Sequence, residues 1–133
     1  MDGTYGFAFS AHYGIGFGVF VIKDRKLTGY DTGGCKFIGT ARADGAGLVL
    51  AFDMTVPRNS FLVPWSSEPM GVETTWTQEI TLPPGFDDGK PFQATLTYGQ
   101  IELMIKKLRD DAAPYATGFV MRPSPDGGGA VAP

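Results

Sequence analysis

The sequence predicts an all-β protein, an antiparallel β-barrel of eight or nine strands. Glycine and proline supply 19 and 10 of the 133 residues, and they fall at turn-like intervals between apolar runs. Within these runs the apolar residues alternate at spacing two, which is the period of a half-buried strand. Consecutive hairpins with short turns favour a meander that closes into a barrel over a sandwich. The length fits one domain, which we expect to span residues 1–122.

The first half of the chain contains five predicted strands. The first has an aromatic face at spacing two, and glycines 14, 16 and 18 give the second the bending points that barrel closure requires. The charged segment 23–26 and the segment 43–47, which contains Asp-Gly, are predicted hairpin turns. Residues 48–56 alternate without a break. We expect strands at 5–9, 16–22, 27–31, 36–42 and 48–56.

The second half of the chain starts with a long loop, residues 57–71, which contains three prolines. A strand with one solvent-exposed face is predicted over 72–82, followed by strands at 92–98 and 101–109. Residues 115–122 could add a ninth, closing strand. After Pro123 the composition has too little apolar surface to fold, and we expect residues 123–133 to be disordered.

Aromatic side chains are the predicted lining of the barrel. An eight-stranded barrel is either filled by its side chains or holds one small ligand, and the filled interior is the favoured interpretation. The expected inward-facing residues are Tyr5, Phe7, Phe9, Phe17, Phe52, Trp76 and Phe92. On the long loop, Phe61, Trp65 and Met70 are predicted either to cap the barrel mouth or to form a partner surface.

The sequence contains no set of residues typical of a catalytic, metal or cofactor site. His12 is the only histidine and Cys35 the only cysteine. Neither has a neighbouring base or ligand-spaced partner, so we expect a turn histidine and a buried apolar thiol. Asp31 precedes a Gly-Gly pair and is expected to cap that turn more readily than to contact a ligand. The other strand carboxylates lie opposite apolar faces and are expected outside the barrel. We therefore predict no catalytic residues, no metal, no cofactor and no enzymatic activity.

The charge of the chain argues against a nucleic-acid partner. Fourteen acidic residues oppose 11 basic ones, for a net charge of −3, whereas phosphate binding requires a basic surface. Segment 3–22 is uncharged but broken by glycines, so it is a poor membrane span. No secretory signal pattern precedes it and a lone cysteine makes no internal disulfide, so a cytoplasmic protein is expected.

Several short motifs in the first forty residues resemble those of the GrlR family, small lipocalin-like regulators of type III secretion in bacteria. The motifs, in order and at matching spacing, are Asp2-Gly3-x-Tyr5, Gly16-x-Gly18-x-x-Val21-x-Lys23-Asp24, Gly29-x-Asp31 and Phe37-x-Gly39. The resemblance implies a lipocalin-like barrel, with Gly29, Asp31 and Gly39 as motif or turn residues. It also implies a homodimer that binds a helix-turn-helix activator and keeps it from its promoter.

In the GrlR family the activator is bound through an acidic run on the loop after the Phe/Tyr-x-Gly strand. The equivalent loop here, residues 42–46, contains one acidic and one basic residue. Two hypotheses follow from the sequence. The first is a non-enzymatic regulator that acts through protein–protein contacts, and the alternative is a lipocalin-like carrier of a small apolar ligand in the barrel interior.

Overall fold

A computed structural model describes residues 1–11, 14–60, 70–96 and 99–111 of the chain. Within these residues the backbone forms eight β-strands and no helix. The strands are β1 (Gly3–Ala11), β2 (Gly14–Lys23), β3 (Lys26–Asp31), β4 (Lys36–Asp44), β5 (Gly47–Val56), β6 (Thr74–Leu82), β7 (Phe92–Leu96) and β8 (Gly99–Arg109). The predicted ninth strand and the predicted tail lie outside the described residues.

All eight strands belong to one antiparallel sheet in the order β6-β5-β4-β3-β2-β1-β8-β7. The sheet curves round until β6 and β7 lie side by side, although no ladder of paired residues joins these two strands in the described part of the chain. The result is a nearly closed barrel with one seam. The predicted all-β antiparallel barrel is confirmed.

Hairpin turns join the strands at one end of the barrel at the two predicted positions, 23–26 and 43–47, and each turn has two residues. Asp24 and Arg25 connect β2 to β3 with φ values of 52° and 66°. Positive φ at both central residues is the type I′ geometry, which matches the twist of the flanking strands. Gly45 and Ala46 connect β4 to β5, and Gly45 adopts a φ of 62°. These turns hold the long strands in register.

The core fills this turn end of the barrel and closes it. Tyr5 is 1% exposed, stacks on Phe20 with ring centroids 4.9 Å apart, and donates its hydroxyl hydrogen bond to the Met1 carbonyl at 2.7 Å. Phe86, from the loop between β6 and β7, is buried against the Tyr5 ring at 6.0 Å. Strand β1 changes register against β8 between Thr4 and Tyr5, a local irregularity of the kind that helps barrels bend.

Strand boundaries differ from the prediction mainly at the other end of the barrel. Strand β6 begins at Thr74, and Val72, which was expected in the strand, lies before it and is 67% exposed. Strand β1 is longer than predicted because Gly3 pairs with Ile22 and Ala11 with Gly14. The alternation rule identified each strand but could not fix where pairing with the neighbour stops.

Candidate functional site

The barrel encloses a cavity of about 100 Å³. Inner-face side chains from all eight strands contribute to its wall, and nearly all of them are apolar. The cavity is partly open, and its wall runs from Leu82 and Ile105 at the closed core end to Asp31, Cys35 and Met54 at the end of the barrel where β3 meets β4 and where β5 ends. We call this second end the mouth.

Phenylalanine rings form the aromatic part of the cavity wall. Phe37 contacts Phe7 and Phe52 in edge-to-face arrangements, with ring centroids 5.9 and 5.7 Å apart. Phe7 also neighbours Phe9 at 6.2 Å. Edge-to-face contacts of this kind stabilise an aromatic cluster by roughly 0.5–1.5 kcal/mol per pair beyond burial of area. The phenylalanine rings of the wall are therefore packed against one another in one cluster.

Glycines on the facing strand give these rings their space. Phe9 pairs with Gly16 and Phe7 with Gly18 across the β1–β2 ladder. A Cβ atom at Gly16 would lie 2.3 Å from the Phe9 ring, and one at Gly18 would lie 2.4 Å from the Phe7 ring. Each ring thus occupies the volume that a side chain of its partner would take, and this explains why β2 carries glycine on its inner face.

A small polar group lines the cavity near the mouth. The Asp31 carboxylate oxygen Oδ1 accepts hydrogen bonds from the Gly33 and Cys35 backbone N–H groups at 2.8 and 3.0 Å. Burial raises the pKa of the Asp31 carboxyl, although these two N–H donors oppose the shift. Burial, followed by the neighbouring Asp31 charge, raises the pKa of the Cys35 thiol to about 12. Cys35 is 5% exposed and stays a thiol at neutral pH.

Gln78 is the second polar component of the cavity wall. It lies on β6, pairs with Phe52, and is 2% exposed. Its amide can both donate and accept hydrogen bonds, whereas an ionised Asp31 can only accept them. The cavity therefore combines apolar walls with two polar side chains on different strands.

The structure confirms part of the predicted lining and corrects one residue. Phe7, Phe9 and Phe52 line the cavity. The other predicted inward residues pack elsewhere inside: Tyr5 in the closed end, Phe92 against the core, and Trp76 beside Cys35, Met54 and Val56 at the mouth.

The prediction for Phe17 is wrong, because it is 52% exposed on the outer surface. The inner face of β2 instead carries the glycines, Phe20 and Ile22, since Phe7 and Phe9 lie across from Gly18 and Gly16. The cavity-wall residues that the sequence prediction did not single out include Phe20, Phe37 and Gln78. Strict alternation from Ile22 back along β2 would have identified Phe20.

The motif residues occupy strands as well as a turn. Gly29 and Gly39 lie inside β3 and β4, within the strands predicted over 27–31 and 36–42, and each pairs with a phenylalanine across a ladder. Asp31 ends β3 and caps the following turn, as predicted. Met70 packs against the mouth cluster of Cys35, Met54 and Val56. Phe61, Trp65 and His12 lie outside the described residues.

A second feature is an apolar area on the outside of the barrel, which we call the outer patch. It spans β2, β1 and β8, where Phe17 pairs with Ala8 and Ala8 with Met104. Its most exposed members are Ile15, Phe17, Met104 and Leu108, which are 65%, 52%, 40% and 56% exposed. Contiguous apolar side chains across three strands are typical of an interaction surface.

Comparisons with known proteins give no match: no family model, curated protein or solved structure corresponds to this chain. Among the described residues there is no group of three or more histidine, cysteine or carboxylate side chains that could hold a metal ion. The described part of the chain also has no helix long and apolar enough to cross a membrane. The cavity and the outer patch are thus the features from which function is argued.

Proposed function

We propose that this protein is a non-enzymatic, cytoplasmic regulatory protein that acts through protein–protein contacts and works as a homodimer. The motif resemblance to the GrlR family supports this role. The observation that carries it is the outer patch, because exposed Phe17, Ile15 and Met104 form one apolar area across neighbouring strands.

The charges beside the outer patch favour a second copy of the same chain as its occupant. On β8, Glu102 and Lys106 lie two residues to either side of Met104, roughly 7 Å away in each direction along the strand. Both side chains are exposed. A two-fold axis parallel to the Phe17–Ala8–Met104 row would reverse the strand direction in the second copy. Glu102 of each copy would then face Lys106 of the other, around an apolar centre.

This arrangement satisfies the general requirements for a symmetric interface. The centre is aromatic and apolar, with Phe17 and Met104, and the rim carries opposite charges. Oppositely charged rims fix the register of association more than they add affinity. The geometry therefore favours a defined dimer over irregular aggregation.

Sedimentation or light scattering of the purified chain at about 100 µM tests the dimer. We expect a mass of about 28 kDa, twice the 14.2 kDa of one chain, and a shift to the single-chain mass in the Phe17→Ser variant. The matched control is Ile38→Ser, because Ile38 is 62% exposed on β4, outside the outer patch. A wild-type monomer, or equal effects of the two substitutions, would refute this interface.

Charge reversal tests the orientation. Glu102→Lys alone and Lys106→Glu alone place like charges against each other and should each weaken the dimer several-fold. The double variant restores opposite charges and should recover wild-type affinity. Failure of the double variant to recover would contradict the two-fold arrangement, even if a dimer of another geometry exists.

The regulatory role is a further part of the proposal, and its partner class is a helix-turn-helix activator. The β4–β5 turn has Asp44 but no acidic run, so the partner surface cannot simply be that of the GrlR family. Purified helix-turn-helix proteins encoded beside this gene are the direct probes. We expect one of them to form a stoichiometric complex and lose promoter binding. Retention of promoter binding by all of them would refute the sequestering role.

A further inference from the structure

The barrel interior retains more space than ordinary packing leaves. Protein cores are packed to crystal-like density, and voids larger than one water molecule are few. The cavity of about 100 Å³ is several times the share of one water in the liquid, which is about 30 Å³. An engineered apolar cavity of about 150 Å³ is known to accept benzene. The space inside this barrel therefore approaches the size of a single ring.

The chemistry of the wall defines the body of a suitable ligand. Phe7, Phe37 and Phe52 present ring faces and edges to the cavity, and leucine and isoleucine side chains complete the wall. Aromatic rings pack well against such surfaces because edge-to-face contacts are favourable. A charged ligand would lose its hydration in this apolar space at high cost. The wall thus selects an uncharged ligand with one ring.

Gln78 and Asp31 define the polar end of that ligand. Gln78 is almost fully buried at mid-barrel on β6, and Asp31 lies near the mouth on β3, so each faces the same cavity from a different strand. Asp31 Oδ1 already accepts two backbone hydrogen bonds from the turn that it caps. A hydroxyl group on the ligand can donate to a carboxylate or amide oxygen and can accept from the Gln78 amide.

We propose that the barrel interior binds a small uncharged molecule that has one ring and one hydroxyl group, of the phenol class. The phenylalanine wall holds the ring and the Gln78 or Asp31 side chain holds the hydroxyl. The cavity is partly open, and we place the entry of the ligand at the mouth, where Cys35 and Met54 line it. This site is separate from the outer patch, which lies on the opposite face of the sheet.

Isoleucine methyl NMR is the most direct test, because the chain supplies its own controls. Ile80, Ile101 and Ile105 line the cavity, whereas Ile15 and Ile38 are exposed outside. Titration of the full chain with phenol should shift the three inner methyl signals and leave the two outer ones in place. About 10 mM phenol is enough to detect even weak binding of a ligand of this size. If the three inner methyl signals do not shift up to that concentration, the proposal is overturned.

Two further probes test the selectivity of the cavity in the wild-type protein and so do not depend on the folding of any variant. Toluene has the ring without the hydroxyl, and benzoate has the ring with a full charge. We expect phenol to bind at least fivefold more tightly than toluene, the order expected for one hydrogen bond, and benzoate to produce no inner shifts. Equal binding of phenol and benzoate would overturn the proposal.

Two substitutions locate the site. Ile101→Phe on β8 fills the cavity and should weaken phenol binding at least tenfold, observed at Ile80. Ile38→Phe on β4 makes the same substitution on the outer surface, where Ile38 is 62% exposed and lies outside the outer patch, and should leave binding unchanged. Equal effects of both variants would refute the interior location. A Phe17→Ser monomer that still binds phenol would separate this site from the dimer interface.

Discussion

Substitution of Gly39 by alanine should destabilise the barrel strongly, because no space exists for a side chain there. A Cβ atom at this position would lie 2.0 Å from the Ala51 carbonyl oxygen and 2.5 Å from the Phe52 Cα atom. Both are backbone atoms of β5, so they cannot move aside as a flexible side chain would. Strands β4 and β5 would have to separate locally by about 1 Å before the contact reached a normal distance of roughly 3 Å.

The size of the effect follows from that separation. Lengthening hydrogen bonds of about 2.9 Å by 1 Å takes them beyond the bonding range. Loss of about two ladder hydrogen bonds costs about 1 kcal/mol each. Displacement of Phe52 from Phe37 adds roughly 1 kcal/mol, as overpacked cores usually do. We therefore expect the free energy of unfolding of Gly39→Ala to fall by about 3 kcal/mol.

Urea unfolding followed by circular dichroism measures this loss. With an m value of about 2 kcal/mol/M, the midpoint should fall by about 1.5 M. Two control glycines separate steric from conformational effects. Among the described residues no atom lies within 4 Å of a Cβ built on Gly71, so Gly71→Ala should change stability by less than about 0.5 kcal/mol. Gly45 is equally open but has a φ of 62°, so Gly45→Ala should cost about 1 kcal/mol. A loss below about 1 kcal/mol in Gly39→Ala would refute the steric argument.

Three further predictions concern single side chains. Arg25→Gly should raise the free energy of unfolding by about 1 kcal/mol, because Arg25 holds a φ of 66° that glycine adopts without strain; unchanged or lower stability in urea unfolding would contradict this. Cys35 should react with a thiol reagent at pH 8 much more slowly in the folded chain than in urea, since burial raises its pKa to about 12 and shields it; equal rates would show that the thiol is accessible. Because burial raises the pKa of Asp31 above its unfolded value of 3.8, its contribution to stability is present below pH 3.8 and is lost as pH rises through the folded pKa. Asp31→Asn keeps the Oδ1 acceptor of the turn but cannot ionise, so the variant should lose less stability than wild type between pH 4 and pH 7. Identical pH profiles of the two proteins would refute the raised pKa of Asp31.

The sequence predicts the sheet well because the signal for a strand is local. Residues 48–56 alternate without interruption and form most of β5, and the Asp-Gly pair at 44–45 marks the turn before it. The charged turn at Asp24 and Arg25 is marked by its position, as a short polar run between two alternating strands. Each of these features depends on neighbours in the chain, and alternation or turn chemistry reports them directly.

The candidate site is less predictable because its shape depends on contacts across strands. Phe17 was expected inside because it shares a face with Val19 and Val21. The first half of the true inner face of β2 carries only three glycines, so in sequence it does not look like a core face. Only the pairing of Phe7 and Phe9 with those glycines shows that the space is filled from β1. Gln78 shares its face with Ile80 and Leu82, so alternation places it inside, yet nothing local indicates that it borders a cavity.

The seam between β6 and β7 gives the barrel a way to change its shape. Everywhere else a wall strand can move outwards only if backbone hydrogen bonds of a ladder break. At the seam, apolar residues of both strands, Ile80 and Leu82 on β6 and Ala94 on β7, belong to one core cluster, and no ladder joins the two strands among the described residues. Sideways separation of β6 from β7 would therefore cost less than opening any other part of the wall. The sheet keeps two edge strands, β6 and β7, so the volume inside the barrel can expand at the seam while every paired ladder stays intact.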